Sequence, residues 1–153
     1  MMNKLVFLIF LLSANVAWGQ KVEIYNPKAD AKKEIAEAVR RASAEGKHVF
    51  LQIGGNWCSW CLKFHRFVDN DSEIKNFVEQ NFEVVKVNYD QENKNEQLLT
   101  SLGFPQRFGF PVFVILDGKG NRIHTQNSAL LKKDESYDRN RVFQFLKTGL
   151  LLY

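Results

Sequence analysis

Cysteine is nearly absent: the 153 residues contain two, Cys58 and Cys61. So small a supply excludes a fold built on a framework of several disulfides. Histidine is nearly as scarce, with three, and His48, His65 and His124 lack the H-x3-5-H spacing that would complete a zinc site with a Cys-x-x-Cys pair. No metal is expected. Long hydrophobic runs are missing too, since Leu5 to Leu12 falls short of the ~20 apolar residues that span a bilayer. Nor does charge of one sign dominate: 21 basic residues against 17 acidic ones leave a formal net charge of +4, too mild to imply a nucleic-acid partner. Charges of both signs alternate in Lys28 to Glu45 and again in Lys132 to Arg141, the pattern of solvated helix faces. Internal repeats and low-complexity segments are absent.

What is present suits one globular domain, with 45% hydrophobic residues and 13 phenylalanines to fill a core. Residues 1–19 read as a secretory signal peptide. Lys4 is a thin basic region, Leu5 to Leu12 the apolar region, and Ala17-Trp18-Gly19 a small-x-small cleavage site. The domain then covers residues 20–153, secreted or periplasmic, and an uncleaved anchor is the other reading of the same run. Export changes how the cysteines are read. An extracytoplasmic compartment permits disulfides, and a lone pair there more often does redox work than builds a framework.

The stretch Gly54-Gly55-Asn56-Trp57-Cys58-Ser59-Trp60-Cys61 lies between an apolar strand run and a helical run. At a helix start two cysteines three residues apart share a face and can bond to each other. The unpaired N–H groups and positive dipole end there favour a thiolate. Cys58 is the expected nucleophile. Cys61, one turn deeper, is placed to displace a partner that Cys58 has captured. A structural disulfide is the duller reading, but the loop it closes is so short that it removes little chain entropy. Two inert buried thiols are another, and the flanking glycines and exposed helix start count against them.

Along the chain, Val22 to Tyr25 reads as a short edge strand and Asn26-Pro27 as a turn. Ile35, Ala38, Val39 and Ala42 then form a helical stripe that Gly46 ends. The run from His48 to Ile53 is apolar almost without alternation, as in a strand covered on both faces. A helix from near Trp57 stops by Asp69-Asn70, and Asp71 or Ser72 caps a second one carrying Ile74, Phe77 and Val78. A buried strand follows with Phe82, Val84, Val85, Val87 and Tyr89, then a short helix over Glu96 to Leu102 closed by Gly103. Phe104 to Pro111 is irregular and aromatic, and Val112 to Leu116 is another central strand. Asp117 to Asn121 turns the chain into an edge strand, Arg122 to Gln126. A last helix beginning at Tyr137 or Asp138 carries Val142, Phe145 and Leu146. Together these make an α/β fold with a central sheet flanked by helices, the redox loop lying at the C-terminal end of a central strand.

Three motifs in order now resemble the thioredoxin family across roughly residues 47 to 126: Trp57-Cys58-x-x-Cys61, Val85 to Gln91 as its next strand, and Gly109-Phe110-Pro111 before an apolar strand. The Cys61-to-Val78 region and the Asp117-Gly118-Lys119-Gly120 turn look most similar to exported members and to the periplasmic C-terminal domain of the DsbD proteins. The resemblance implies a thioredoxin-like fold with a mixed sheet and a cis Phe110-Pro111 peptide whose neighbouring backbone pairs with a substrate strand. It also implies cofactor-free exchange of protein disulfides by a monomer, with electrons regained from a membrane or periplasmic redox partner. Trp57 and Trp60 are candidate substrate contacts with Phe110 and Pro111, and Phe108 and Phe110 either join that apolar rim or complete the core.

The sequence also departs from the family. Gln52 replaces a buried Asp six residues before the first cysteine and cannot accept a proton near neutral pH, so water, Lys86 or His65 must serve Cys61 if it needs a base. Arg66 replaces a helix-kinking proline, and Ser59-Trp60 supplies no histidine to stabilise the thiolate, which implies a less oxidising couple than that of a strong oxidase. Reduction or isomerisation of protein disulfides is therefore the expected activity. A binding or chaperone module with an inert disulfide is the alternative.

Overall fold

The computed structural model describes residues 22–151, so the predicted leader lies outside the described residues. Helix α1 (Ala31–Glu45) starts where the Asp30 carboxylate accepts from the Lys33 N–H, at 3.1 Å. It ends where Gly46 adopts φ 66°, a left-handed turn that costs glycine little. Strand β1 (His48–Gly54) follows, then α2 (Ser59–Asn70), α3 (Ser72–Asn81), β2 (Phe82–Asn88) and α4 (Glu96–Ser101). A 3-10 turn over Pro105–Phe108 leads to β3 (Val112–Leu116) and β4 (Arg122–Asn127). A second 3-10 turn, Ser128–Leu131, precedes the short strands β5 (Lys132–Lys133) and β6 (Ser136–Tyr137), and α5 (Arg139–Leu151) closes the described chain.

The four-stranded sheet has the order β2-β1-β3-β4, with β1 parallel to β2 and antiparallel to β3, and β3 antiparallel to β4. This is the mixed central sheet expected, covered by helices on both faces. Because side chains alternate along a strand, β1 and β3 feed two cores. Val49, Leu51, Ile53, Val112, Val114 and Leu116 pack with Ala38 and Ala42 of α1 and Leu98 and Leu99 of α4. Phe50, Phe113 and Ile115 point the other way, to Phe64 of α2, Ile74 and Val78 of α3, and Val142, Phe145 and Leu146 of α5. Phe50 is the hub of that second core, with ring centroids 5.4 Å from Phe113 and 5.8 Å from both Phe82 and Phe145.

Three local expectations are corrected. Residues 22–25 form no strand: the Ile24 and Tyr25 N–H groups bond to a side chain, Asn56, instead of a sheet neighbour. Strand β2 is an edge, not a strand buried on both faces, with Val84 39% exposed, and Tyr89 falls beyond its end. Residues 132–137 are no helix face. They form the β5–β6 ribbon, turning through Asp134 at φ 50°, and only Arg139 onward is helical.

Candidate active site

Strand β1 ends at Gly54, and the next residues turn the chain outward before α2 begins. Cys58 is the N-cap of α2, with extended backbone (φ −88°, ψ 103°), and its Sγ accepts from the Cys61 N–H at 3.2 Å. The two sulfurs are bonded to each other, with Cα atoms 5.2 Å apart. A helix N–H, which the Cys58 carbonyl shares at 3.0 Å, thus points at Cys58 Sγ, the arrangement that stabilises a thiolate there when the bond is reduced.

The loop before the cysteines is glycine because nothing larger fits. A Cβ on Gly54 would overlap Cys61 Sγ and stand 3.0 Å from Tyr25 Oη. One on Gly55 would overlap the Trp57 indole and lie 2.9 Å from the Tyr89 carbonyl oxygen. Trp57 in turn donates from Nε1 to that carbonyl, at 2.7 Å, which pins the indole to the end of β2.

The sequence-predicted residues converge here in unequal ways. Trp57 is the open one, 57% exposed, and meets the Phe110 ring edge-on at 5.5 Å. Phe110 is half-buried and lies 4.7 Å from Tyr89, so it joins the core as well as the site. The Phe110–Pro111 peptide is cis, and Pro111 is buried at the head of β3. Trp60 faces the ribbon: Tyr137 meets its edge at 5.5 Å, and Lys63 and Lys132 sit over its ring at 4.4 and 4.0 Å. Phe108 is 39% exposed under the Arg107 guanidinium and takes no part in the core.

The proposed proton carriers are engaged elsewhere. Gln52, 7% exposed, accepts from Lys86 Nζ at 3.2 Å across the β1–β2 register. Burial pushes the Lys86 ammonium below its ordinary pKa. His65 Nε2 lies 3.3 Å from Asp69 on the same helix. Burial and the neighbouring Lys86 charge lower its pKa, against the pull of Asp69.

Two features escaped the sequence reading. Cys58 is more sheltered than a helix start suggests, 5% exposed against 2% for Cys61. Its cover is Tyr25, 3% exposed, which packs in one cluster with both cysteines, bordered by Ile24, Trp60 and Phe110. Asn56 holds that cover through three hydrogen bonds to the Ile24 and Tyr25 backbone. No spacing rule links residue 25 to residue 56, and only the fold brings them together. Among the described residues, no three His, Cys, Asp or Glu side chains are grouped to hold a metal ion.

With this geometry in view, known proteins supply a frame. A family model described as thioredoxin-like matches residues 30–118. The disulfide bond reductase DsbH of Chlamydia pneumoniae is 28% identical over 119 residues, spanning 70% of each chain. Among solved structures, a disulphide isomerase from Xylella fastidiosa Temecula1 superposes with a TM-score of 0.72 at 22% identity, over 82% of this chain and 95% of that one. The C-terminal domain of Neisseria meningitidis DsbD in its oxidised form gives 0.52 at 19% identity, over 76% and 95% respectively. At those identities the superpositions speak to the fold.

Proposed function

Because the chain belongs to the thioredoxin-like family, we propose that it is an exported thiol-disulfide oxidoreductase that reduces or isomerises protein disulfides through Cys58 and Cys61. The observation that carries the proposal is the pair itself: two sulfurs within bonding distance at the first turn of α2, with a helix amide directed at the outer one. The homologous protein from Chlamydia pneumoniae is named as a reductase, which favours reduction as the net direction.

The steps balance without a cofactor. The Cys58 thiolate attacks one sulfur of a substrate disulfide, forming a mixed disulfide and releasing a substrate thiolate. Cys61, as thiolate, then attacks Cys58 Sγ. The Cys58–Cys61 bond closes, the bond to substrate breaks, and a second substrate thiolate leaves. The substrate gains the two electrons the pair loses. A membrane or periplasmic dithiol partner reverses the exchange and restores the pair. Trp57, Trp60 and Phe110 are assigned to the apolar side of the substrate, and the backbone beside Pro111 to its main chain. Residues 1–19 are assigned to a cleaved signal, with the monomeric domain over residues 20–153 acting outside the cytoplasm.

A binding module with an inert disulfide is the second reading, favoured by the 5% exposure of Cys58. One experiment decides. The native protein is equilibrated in dithiothreitol and glutathione buffers, and reduction of a protein disulfide such as that of insulin is followed. The expected result is a reversible couple whose turnover vanishes in Cys58→Ser, while Cys61→Ser accumulates mixed disulfide. Turnover that survives Cys58→Ser, or a bond that does not equilibrate in the folded protein, overturns the exchange reading.

A further inference from the structure

The segment covering the disulfide is fastened at Ile24 and Tyr25 by Asn56, with Asn93 donating to the Pro27 carbonyl further along at 2.9 Å. Asn56 Oδ1 accepts from the N–H groups of Ile24 and Tyr25, each at 2.9 Å, and Asn56 Nδ2 donates to the Tyr25 carbonyl at 2.7 Å. Asn56 stands two residues before Cys58, so the loop that presents the nucleophile also fixes the phenol. Tyr25 and Cys61 then meet across Gly54: Cys61 Sγ and Tyr25 Oη border the same space above its Cα, which a methyl group cannot enter. Both are buried in one cluster.

From this juxtaposition we propose that the Tyr25 hydroxyl donates a hydrogen bond to Cys61 Sγ in the reduced protein, positioning and stabilising the thiolate that resolves the mixed disulfide. The proposal rests on the exchange reading above. A buried thiol ionises with difficulty, because a charge in low dielectric loses its hydration, and a donor aimed at the sulfur offsets part of that loss. A phenol suits the task since it gives a hydrogen bond and keeps its own proton: burial, with Tyr137 nearby, pushes Tyr25 well above the ordinary phenol range. The Cys61 proton passes to water before attack. The S–S bond to Cys58 then forms as the bond to substrate breaks, and the leaving substrate thiolate is protonated by solvent. Several titratable groups on the surrounding elements are engaged with other partners: Lys86 with Gln52, His65 with Asp69, Tyr137 with the Trp60 carbonyl, and Lys63 and Lys132 over the Trp60 ring.

The test separates the two chemical steps. Reduced full-length protein is mixed in stopped flow with a stoichiometric amount of a small aromatic disulfide, from mildly acidic to alkaline pH. The first aromatic thiol released reports attack by Cys58, and the second reports resolution by Cys61. In Tyr25→Phe, which keeps the ring, the second phase is expected to slow roughly tenfold near neutral pH, and its profile to move alkaline by about one pH unit. The first phase stays within about twofold, a difference too small to count against hydrogen-bond energies. Asn56→Ala, which frees the segment but keeps the phenol, is expected to displace the second phase in the same direction. A Tyr25→Phe profile that superimposes on the parent, or one slowed equally at every pH as a packing defect would be, overturns the proposal while leaving the exchange reading intact. An Asn56→Ala profile without displacement overturns it as well. A parent protein that releases no thiol in either phase overturns both.

Discussion

Gly54 shows how much of this site is decided by space at a single Cα. Its φ is unexceptional, so the requirement is steric: the volume a side chain would fill is already held by Cys61 Sγ and bounded by Tyr25 Oη. Gly54→Ala is therefore expected to cost roughly 1–3 kcal/mol, the usual penalty of overpacking a filled interior. It would be read as a lower urea midpoint with an unchanged slope. An unchanged midpoint would mean that Cys61 moves aside freely and that the close packing drawn here is slack. At this scale the sequence was partly legible. Cys58 and Cys61 announce themselves by spacing and by position after an apolar run. Gly54 reads only as a loop residue, and Tyr25 as part of a strand. Their relation to Cys61 exists only once β1 and the segment before α1 lie side by side, and no local pattern encodes it.

At the scale of elements, the junction of α2 and α3 is the place where one residue governs two helices. Asp71 follows the last residue of α2 and caps α3, accepting from the N–H groups of Glu73 and Ile74 at 3.1 Å each, while Arg139 of α5 donates to it at 2.7 Å. The Ile74 N–H, then the Arg139 guanidinium, hold its carboxyl below the usual carboxylate range. Since the folded pKa is depressed, the stabilisation is fully present above the unfolded value of about 3.9 and is lost as pH falls through the folded one. Asp71→Ala is expected to cost about 1 kcal/mol at neutral pH, mostly through the cap, since the exposed ion pair adds little. The gap between mutant and parent should close in acid, as thermal unfolding across pH would reveal; a gap that persists below pH ~2 would assign the effect to something other than ionisation. Asp71 was visible in the sequence because a cap precedes a helical stripe directly. Strands β1 and β3 were visible for a like reason, as apolar runs that only a doubly covered position can absorb. The errors fall where apolar content misleads. Strand β2 carries four apolar side chains yet forms an edge, because strand order is set by pairing partners far away in sequence. The β5–β6 ribbon was lost because its alternating charges fit a solvated ribbon as well as a solvated helix face.

For the molecule as a whole, the two cores of the sheet leave the end bearing the disulfide as a place where aromatic surface stays in water. Trp57 is 57% exposed although its indole is anchored by the Tyr89 carbonyl and braced by Phe110. A rigid, half-anchored indole beside the disulfide loses little conformational freedom when a partner covers it, which is why such residues carry a large share of binding energy. Between Trp57 and the loop over Tyr89 to Lys94 runs an open cleft of about 580 Å³, also lined by Pro27. That cleft is the right scale for one or two side chains of an extended polypeptide, and irrelevant to a disulfide too small to reach it. Trp57→Ala is accordingly expected to raise KM for a protein disulfide roughly tenfold, a loss of about 1.4 kcal/mol, with kcat changed far less. Reaction with a small disulfide such as oxidised glutathione should change by no more than about twofold, because that substrate engages the sulfurs without covering the indole. Equal losses for both substrates would place the role of Trp57 in supporting Cys58, through the loop its indole helps to hold, and remove it from substrate binding.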